Sequence, residues 1–372
     1  MKNNIIQTSK FFLVLLITLF GTECSGVEKN KISQQKSFNT NTTKDLEFTN
    51  YEPKTRLQVL KEFDPTIIKG LAKIASPDNY GALSKNKSGY FHVRFQMSIS
   101  QLADYAVASE DVDALDIAIK SIEYSFQYQQ GDGNFRLAIP NNLKDQKPNP
   151  ADIASGVSFF LSSVGLGLVD FQQSEWYNSS ANSNYKSRIE LLRPKLNQSA
   201  SWLLSQKSVL KLGDKNAPNR LLFDALAFYS LGSWLGRNDL KFAAKEFAFL
   251  AIALLTKDGY FLEGGGWDSS YQGVANNVGM NLFSILSEDV SWKQNLWKSL
   301  ARSTAWQRSR ILPSGEISTK GNTRVYSGGE SFMGETKAMD WKQTMNSFYL
   351  IGYYSKEPIY INLANLVLEY YK

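Results

Sequence analysis

One cysteine and one histidine stand in a chain of 372 residues. A single Cys excludes an intrachain disulfide framework and a thiolate zinc cluster. A single His excludes any centre needing two imidazoles, so no metal and no cofactor are expected. The GxxxxGK[ST] phosphate loop and the G-x-S-x-G elbow are both absent. Lys and Arg never form a run dense enough for a nucleic-acid surface, although 41 of them against 35 Asp and Glu leave the chain at +6. That mild basicity suits an anionic partner. What is present is globular: 43% hydrophobic, 13% aromatic and 20% charged residues.

The first residues read as an address. Lys2 and Lys10 precede the apolar run Phe11–Phe20, a basic region followed by a hydrophobic one of signal-peptide length. The run is shorter than the ~20 residues a bilayer span needs. Cys24, the single cysteine, follows in GTECSG, where a bacterial lipoprotein carries its lipidated cysteine. Gly21 and Glu23 depart from the usual flanks of that site. The reading is therefore an exported protein, with residues 1–23 a signal peptide and Cys24 a lipid attachment point. Residues 24–50 are a polar tether, and residues 51–372 form one domain. Membrane contact is expected only through the lipid.

From Tyr51 onward the pattern is helical. Thr55–Ala75 is amphipathic. Phe91–Ala108 pairs with Val112–Gln130, Ala151–Phe171 with Ser187–Val209, and Pro218–Leu235 with Leu240–Lys257. Ser269–Leu286 pairs with Ser291–Arg308, and Lys337–Tyr354 with Pro358–Tyr371. Glycine loops separate the pairs, and Asp-Gly-x-Phe recurs at Asp132 and Asp258. One helix of a pair is apolar all round and its partner is charged on one face. That alternation predicts an all-α fold, an (α/α) toroid of helical hairpins, with an open α-solenoid as the runner-up.

The densest candidate site is Asp258–Asn277, DGYFLEGGGWDSSYQGVANN. Three consecutive glycines suit a backbone that approaches a ligand. Asp268 reads as an N-cap. Gln272 and Asn276 share a face opposite Val274 and Val278, and are expected to face a central funnel beside Tyr271. Trp267 could stack on a sugar ring. A second glycine-rich segment, SGGESFMGETKAMDW, holds Glu330, Glu335 and Asp340, with Tyr326 and Trp341 as further sugar platforms.

DGYF followed by E-GGGWD-SSYQ resembles segments of (α/α)-toroid polysaccharide lyases and related toroid glycosidases. The resemblance implies a poly- or oligosaccharide partner, acidic if the reaction is β-elimination. It implies Tyr271 as base or acid, with Asn219, Arg220, Asn276 or Asn277 holding a uronate carboxylate. Such lyases commonly carry an Asn-His pair, whereas here Arg220 follows Asn219. His92, expected on an inner helix, is the one imidazole that could serve. Tyr271 as base would need a neighbouring cation such as Arg220 to lower its pKa. Two alternatives stay open. One is glycoside hydrolysis through Glu263 and Asp268, which flank the triple glycine. The other is a non-catalytic glycan-binding or scaffold protein on the cell surface.

Overall fold

A computed structural model describes residues 50–141, 147–332 and 335–372. The signal segment and Cys24 lie outside the described residues, as does the tether up to residue 49. Helices dominate: α1 (Arg56–Leu60), α2 (Pro65–Ala75), α3 (Ile99–Ser109), α4 (Val112–Phe126), α5 (Pro150–Gln173), α6 (Glu175–Asn178) and α7 (Ser183–Ser205). Then come α8 (Lys207–Asp214), α9 (Pro218–Leu235), α10 (Asn238–Ile252), α11 (Ser269–Ile285), α12 (Lys293–Arg308), α13 (Trp341–Ser355) and α14 (Pro358–Tyr371). A two-residue hairpin, β1 (Ser331–Phe332) against β2 (Glu335–Thr336), interrupts the last loop.

The inner ring runs α3–α5–α9–α11–α13, each helix packed on the next except where the ring closes. The five-residue α1 closes it by touching α13, α3 and α5. The outer helices α2, α4, α7, α10, α12 and α14 back this ring. Closure decides for the toroid over the open solenoid. Helices α5, α9 and α11 are buried on nearly all sides because both their ring neighbours and an outer partner cover them. Helix α5 is the one described helix long and apolar enough to cross a membrane, and 94% of that stretch is buried within the protein.

Three expected helices break, Ser187–Val209 at Gln206 between α7 and α8. Thr55–Ala75 divides at Asp64-Pro65, because proline is accommodated in a first turn and Asp64 accepts from the Thr66 N–H as its cap. Phe91–Ala108 becomes a 3-10 turn, Val93–Gln96, followed by α3. His92 therefore precedes the inner helix instead of riding on it. Asn86 pins it there, accepting from the His92 N–H and donating to the His92 carbonyl.

The Asp-Gly-x-Phe loops are one turn used three times. Gly133, Gly259 and Gly315 have φ of 96°, 93° and 92°. A Cβ at each would lie 2.4 Å from the Gln198 carbonyl oxygen, 2.9 Å from that of Arg302 and 2.2 Å from that of Leu366. Only glycine meets both the conformation and the approach to the next outer helix. Phe135, Phe261 and Ile317 follow as buried plugs, each paired across its turn, with Gln129, Leu255 and Ile311 respectively. The third copy, Ser-Gly-Glu-Ile, lacks both Asp and Phe, so its sequence hides the repeat. These loops lead from outer into inner helices. They therefore share one end of the toroid with the inner-helix N-termini, and the polar residues gather there.

Candidate functional site

Two charged clusters occupy that end. The first lies between the N-termini of α5 and α9. Arg220 donates to Asp214 at 2.8 Å, and its other nitrogen is 3.6 Å from Asp152. Ser155 donates to Asp214 at 2.7 Å. Asp224, one turn after Arg220, makes no bond to it; both its oxygens lack a hydrogen-bond partner. Burial holds the Asp224 carboxyl well above the usual range, with Asp214 adding to the rise. Burial also pushes Asp152 up to about 6, against the pull of Arg220 and Arg94. Arg94 is itself lowered to about 9, by burial and then by Arg220. Asn219 is buried beside them, its side-chain oxygen without a partner.

His92 lies against Gly156, one turn along α5 from Asp152. Its Nδ1 accepts from the Arg94 N–H at 3.1 Å. Burial, then the Arg94 charge, lowers its pKa to about 3. The ring is thus neutral at physiological pH with its proton on Nε2, the nitrogen left to carry it. It can donate from Nε2 and is not placed as a base.

The second cluster surrounds Tyr271 at the start of α11. Asp268 accepts four backbone N–H bonds. Those of Ser270 and Tyr271 meet one oxygen at 3.0 and 3.1 Å. Those of Arg324 and Val325 meet the other at 3.0 and 2.7 Å. It caps α11 and ties the Asn322–Val325 strand of loop to it, so its oxygens are fully engaged in structure. Glu263 differs. One oxygen bonds Arg324, the other is buried without a partner, and burial pushes the carboxyl up to about 7.

Tyr271 is 2% exposed and clusters with Val325, apart from the main core. The loop covers it. Its hydroxyl donates to Glu330 at 3.0 Å and accepts from Lys337. Lys337 Nζ lies 3.7 Å and the Arg324 guanidinium 4.4 Å from the ring centre. Burial nevertheless raises the phenol well above 10, with Arg324 opposing. The cations at Tyr271 are therefore Arg324 and Lys337 in place of the expected Arg220. The phenol is protonated in this state and serves as a hydrogen-bond donor. Burial lowers Lys337 to about 8.

Other candidate residues fall elsewhere. Gln272 and Asn276 face the outer helix instead of the funnel. Gln272 accepts from the Phe261 N–H at 2.9 Å and donates to Ser303, and Ser303 donates to Asn276. The polar stripe of α11 thus joins α11 to α12 through Ser303, while the Asn276 amide nitrogen stays buried without a partner. Asn277 turns toward α13, donating to Gln343 and accepting from Asn346 at 2.7 Å. Trp267 packs edge-on to Tyr260 at 5.6 Å and lies against Gly321. Trp341 stacks on Tyr371 with rings 8° apart, and Lys342 lies 5.3 Å from its ring centre. That stack occupies its face. Tyr326 is 45% exposed and remains open to a ligand. The described residues contain no group suited to a metal ion.

Sequence reasoning passed over Arg94, Asp152, Asp214, Arg324 and Lys337. One signal was available: Asp152 is the only charge in the first five turns of an otherwise uncharged inner helix until Asp170. A charge that survives at the N-terminus of a buried helix is costly unless it is used.

No family model matches the chain, and no curated protein matches it. Solved structures do. The unsaturated glucuronyl hydrolase of Bacillus sp. GL1, described as responsible for the degradation of glycosaminoglycan, is 14% identical. The match covers 84% of this chain and 87% of that one, with a TM-score of 0.50. A structure of UGL with dGlcA-Glc-Rha-Glc gives 14% identity, 84% and 87% coverage and 0.49. A sugar epimerase from a ruminal bacterium gives 12%, 79%, 86% and 0.44. At such identities the likeness defines the architecture alone: this is an (α/α)-toroid protein.

Proposed function

We propose that this toroid cleaves an acidic oligosaccharide by acid–base hydrolysis, with Glu263 as proton donor and Asp152 as the partner carboxylate. The observation that supports it is a pair of buried carboxyls at one end of the ring, pushed up to about 7 and about 6. Between those values Glu263 keeps its proton while Asp152 has lost its own, the division of labour that glycoside hydrolysis needs. Arg94 responds to charge in both clusters, to Asp152 in one and to Tyr271 in the other. Asp268, the sequence-level choice for the second carboxylate, is engaged as a cap. Elimination through Tyr271 remains the second reading, favoured by the two cations against its ring. It requires a phenolate that burial opposes.

The deciding experiment incubates the protein with uronate-containing oligosaccharides and follows both reducing ends and the ultraviolet absorbance of unsaturated products. Reducing ends without that absorbance support hydrolysis; unsaturated products favour Tyr271. No turnover with glycan binding retained returns the protein to the scaffold reading.

From the N-terminal sequence we also propose that the protein is exported and held by a lipid on Cys24. Cys24→Ser is expected to move it from the membrane fraction to the soluble fraction, as read by fractionation and immunoblotting. Unchanged partition would remove the lipid anchor.

A further inference from the structure

Glu330 holds the position a ligand's carboxylate would take. Its Oε2 accepts from the Tyr271 hydroxyl at 3.0 Å, and its Oε1 accepts from Arg324 at 2.8 Å. Lys337 bonds the same hydroxyl. Each of the three also has a contact that does not involve the Glu330 side chain. Tyr271 stands on α11. Arg324 is pinned by Glu263 and by its own N–H on Asp268. Lys337 lies against the Tyr271 ring. A phenol and a guanidinium meeting one oxygen each, with the Lys337 ammonium behind the phenol, form a seat for one carboxylate.

The segment that delivers Glu330 is a surface bend held by hydrogen bonds, without an apolar anchor. It comes from the exposed bend Tyr326–Gly328, where Gly328 has φ of 81°. Its backbone is tied by Glu330 N–H to the Arg324 carbonyl and by Lys337 N–H to the Glu330 carbonyl, both at 2.9 Å. No side chain between Tyr326 and Glu330 joins the main hydrophobic core.

We infer that Tyr271, Arg324 and Lys337 form a carboxylate-binding seat which the chain's own Glu330 occupies at rest, and which takes the carboxylate of a uronic sugar once Glu330 withdraws. The class of sugar rests on the glycan reading above; the seat itself does not. A tethered side chain competes at a high effective concentration, so the intact protein binds free carboxylates weakly.

The test is Glu330→Ala, which vacates the seat and leaves the backbone in place. Calorimetric titration of wild type and variant uses three probes: acetate, glucuronate and neutral glucose. The variant is expected to bind acetate and glucuronate at least about tenfold tighter than wild type, with glucose unchanged. A second substitution, Lys337→Met in the Glu330→Ala background, should abolish the gain. Tighter acetate without tighter glucuronate keeps the seat and removes the sugar. No gain for either acid, or an equal gain for glucose, overturns the seat. Circular dichroism reports folding. If Glu330→Ala does not fold, Glu330→Gln keeps the Tyr271 contact, drops the charge, and is expected to bind acetate more tightly than wild type. Failure there also overturns the seat.

Discussion

Replacing Arg56 with alanine is expected to cost about 3–5 kcal/mol of stability, the largest loss of any single side chain considered. Arg56 is 2% exposed and lies at the end of the ring opposite the carboxyl clusters. It donates twice to Asp104, at 2.9 and 2.7 Å, once to Asp170 at 3.2 Å and once to Asn281 at 2.7 Å. One guanidinium thus fastens α1 to α3, α5 and α11. A five-residue helix has no stability of its own, so α1 depends on these bonds to stay in the ring. Truncation would strand Asp170, fully buried and already raised well above its usual range, without its counter-charge. Urea denaturation reads the loss. Lys61→Ala provides the contrast: its pair with Glu110 is exposed, at 3.3 Å, and is worth under about 1 kcal/mol. Equal midpoints for the two variants would show that Arg56 does not close the ring.

Glu263→Gln is expected to lower turnover by about 10²–10⁴ with the fold intact, since glutamine keeps a contact with Arg324 but has no proton to give. The pH profile follows from the two shifts. Activity rises as Asp152 ionises through about 6 and falls as Glu263 loses its proton through about 7. The variant loses the upper limb. Asp268→Asn separates the roles. Its effect should appear in melting temperature, because its carboxylate satisfies four backbone N–H groups, and the pH profile of what remains should keep its shape. Full turnover in Glu263→Gln would reject Glu263 as the acid.

The repeat of apolar and amphipathic helices was legible because burial leaves a period that no local interaction disguises. The glycine turns at Gly133 and Gly259 were legible for a similar reason: a positive φ against a neighbouring backbone admits one residue. Direction was not legible. Gln272 and Asn276 share a face of α11, but which neighbour that face meets is set by the ring, and Ser303 of α12 claims it. The same holds for Trp341, which Tyr371 covers from the far end of the chain.

Sequence alone determined that the protein is a repeat of helical hairpins with one histidine, one cysteine and a polar glycine-rich entrance to α11, and contacts of α1 with α13, α3 and α5 decided that the repeat closes into a ring. Only the tertiary structure decided which charges act together. Asp152 meets Arg220, and Tyr271 meets Glu330 and Lys337, across separations of 59 and 66 residues in the latter two contacts. Electrostatics at the site depends on distance and burial, and neither quantity is written along the chain. The single histidine makes the point: its rarity drew attention to it, and its burial, then the Arg94 charge beside it, keep it neutral.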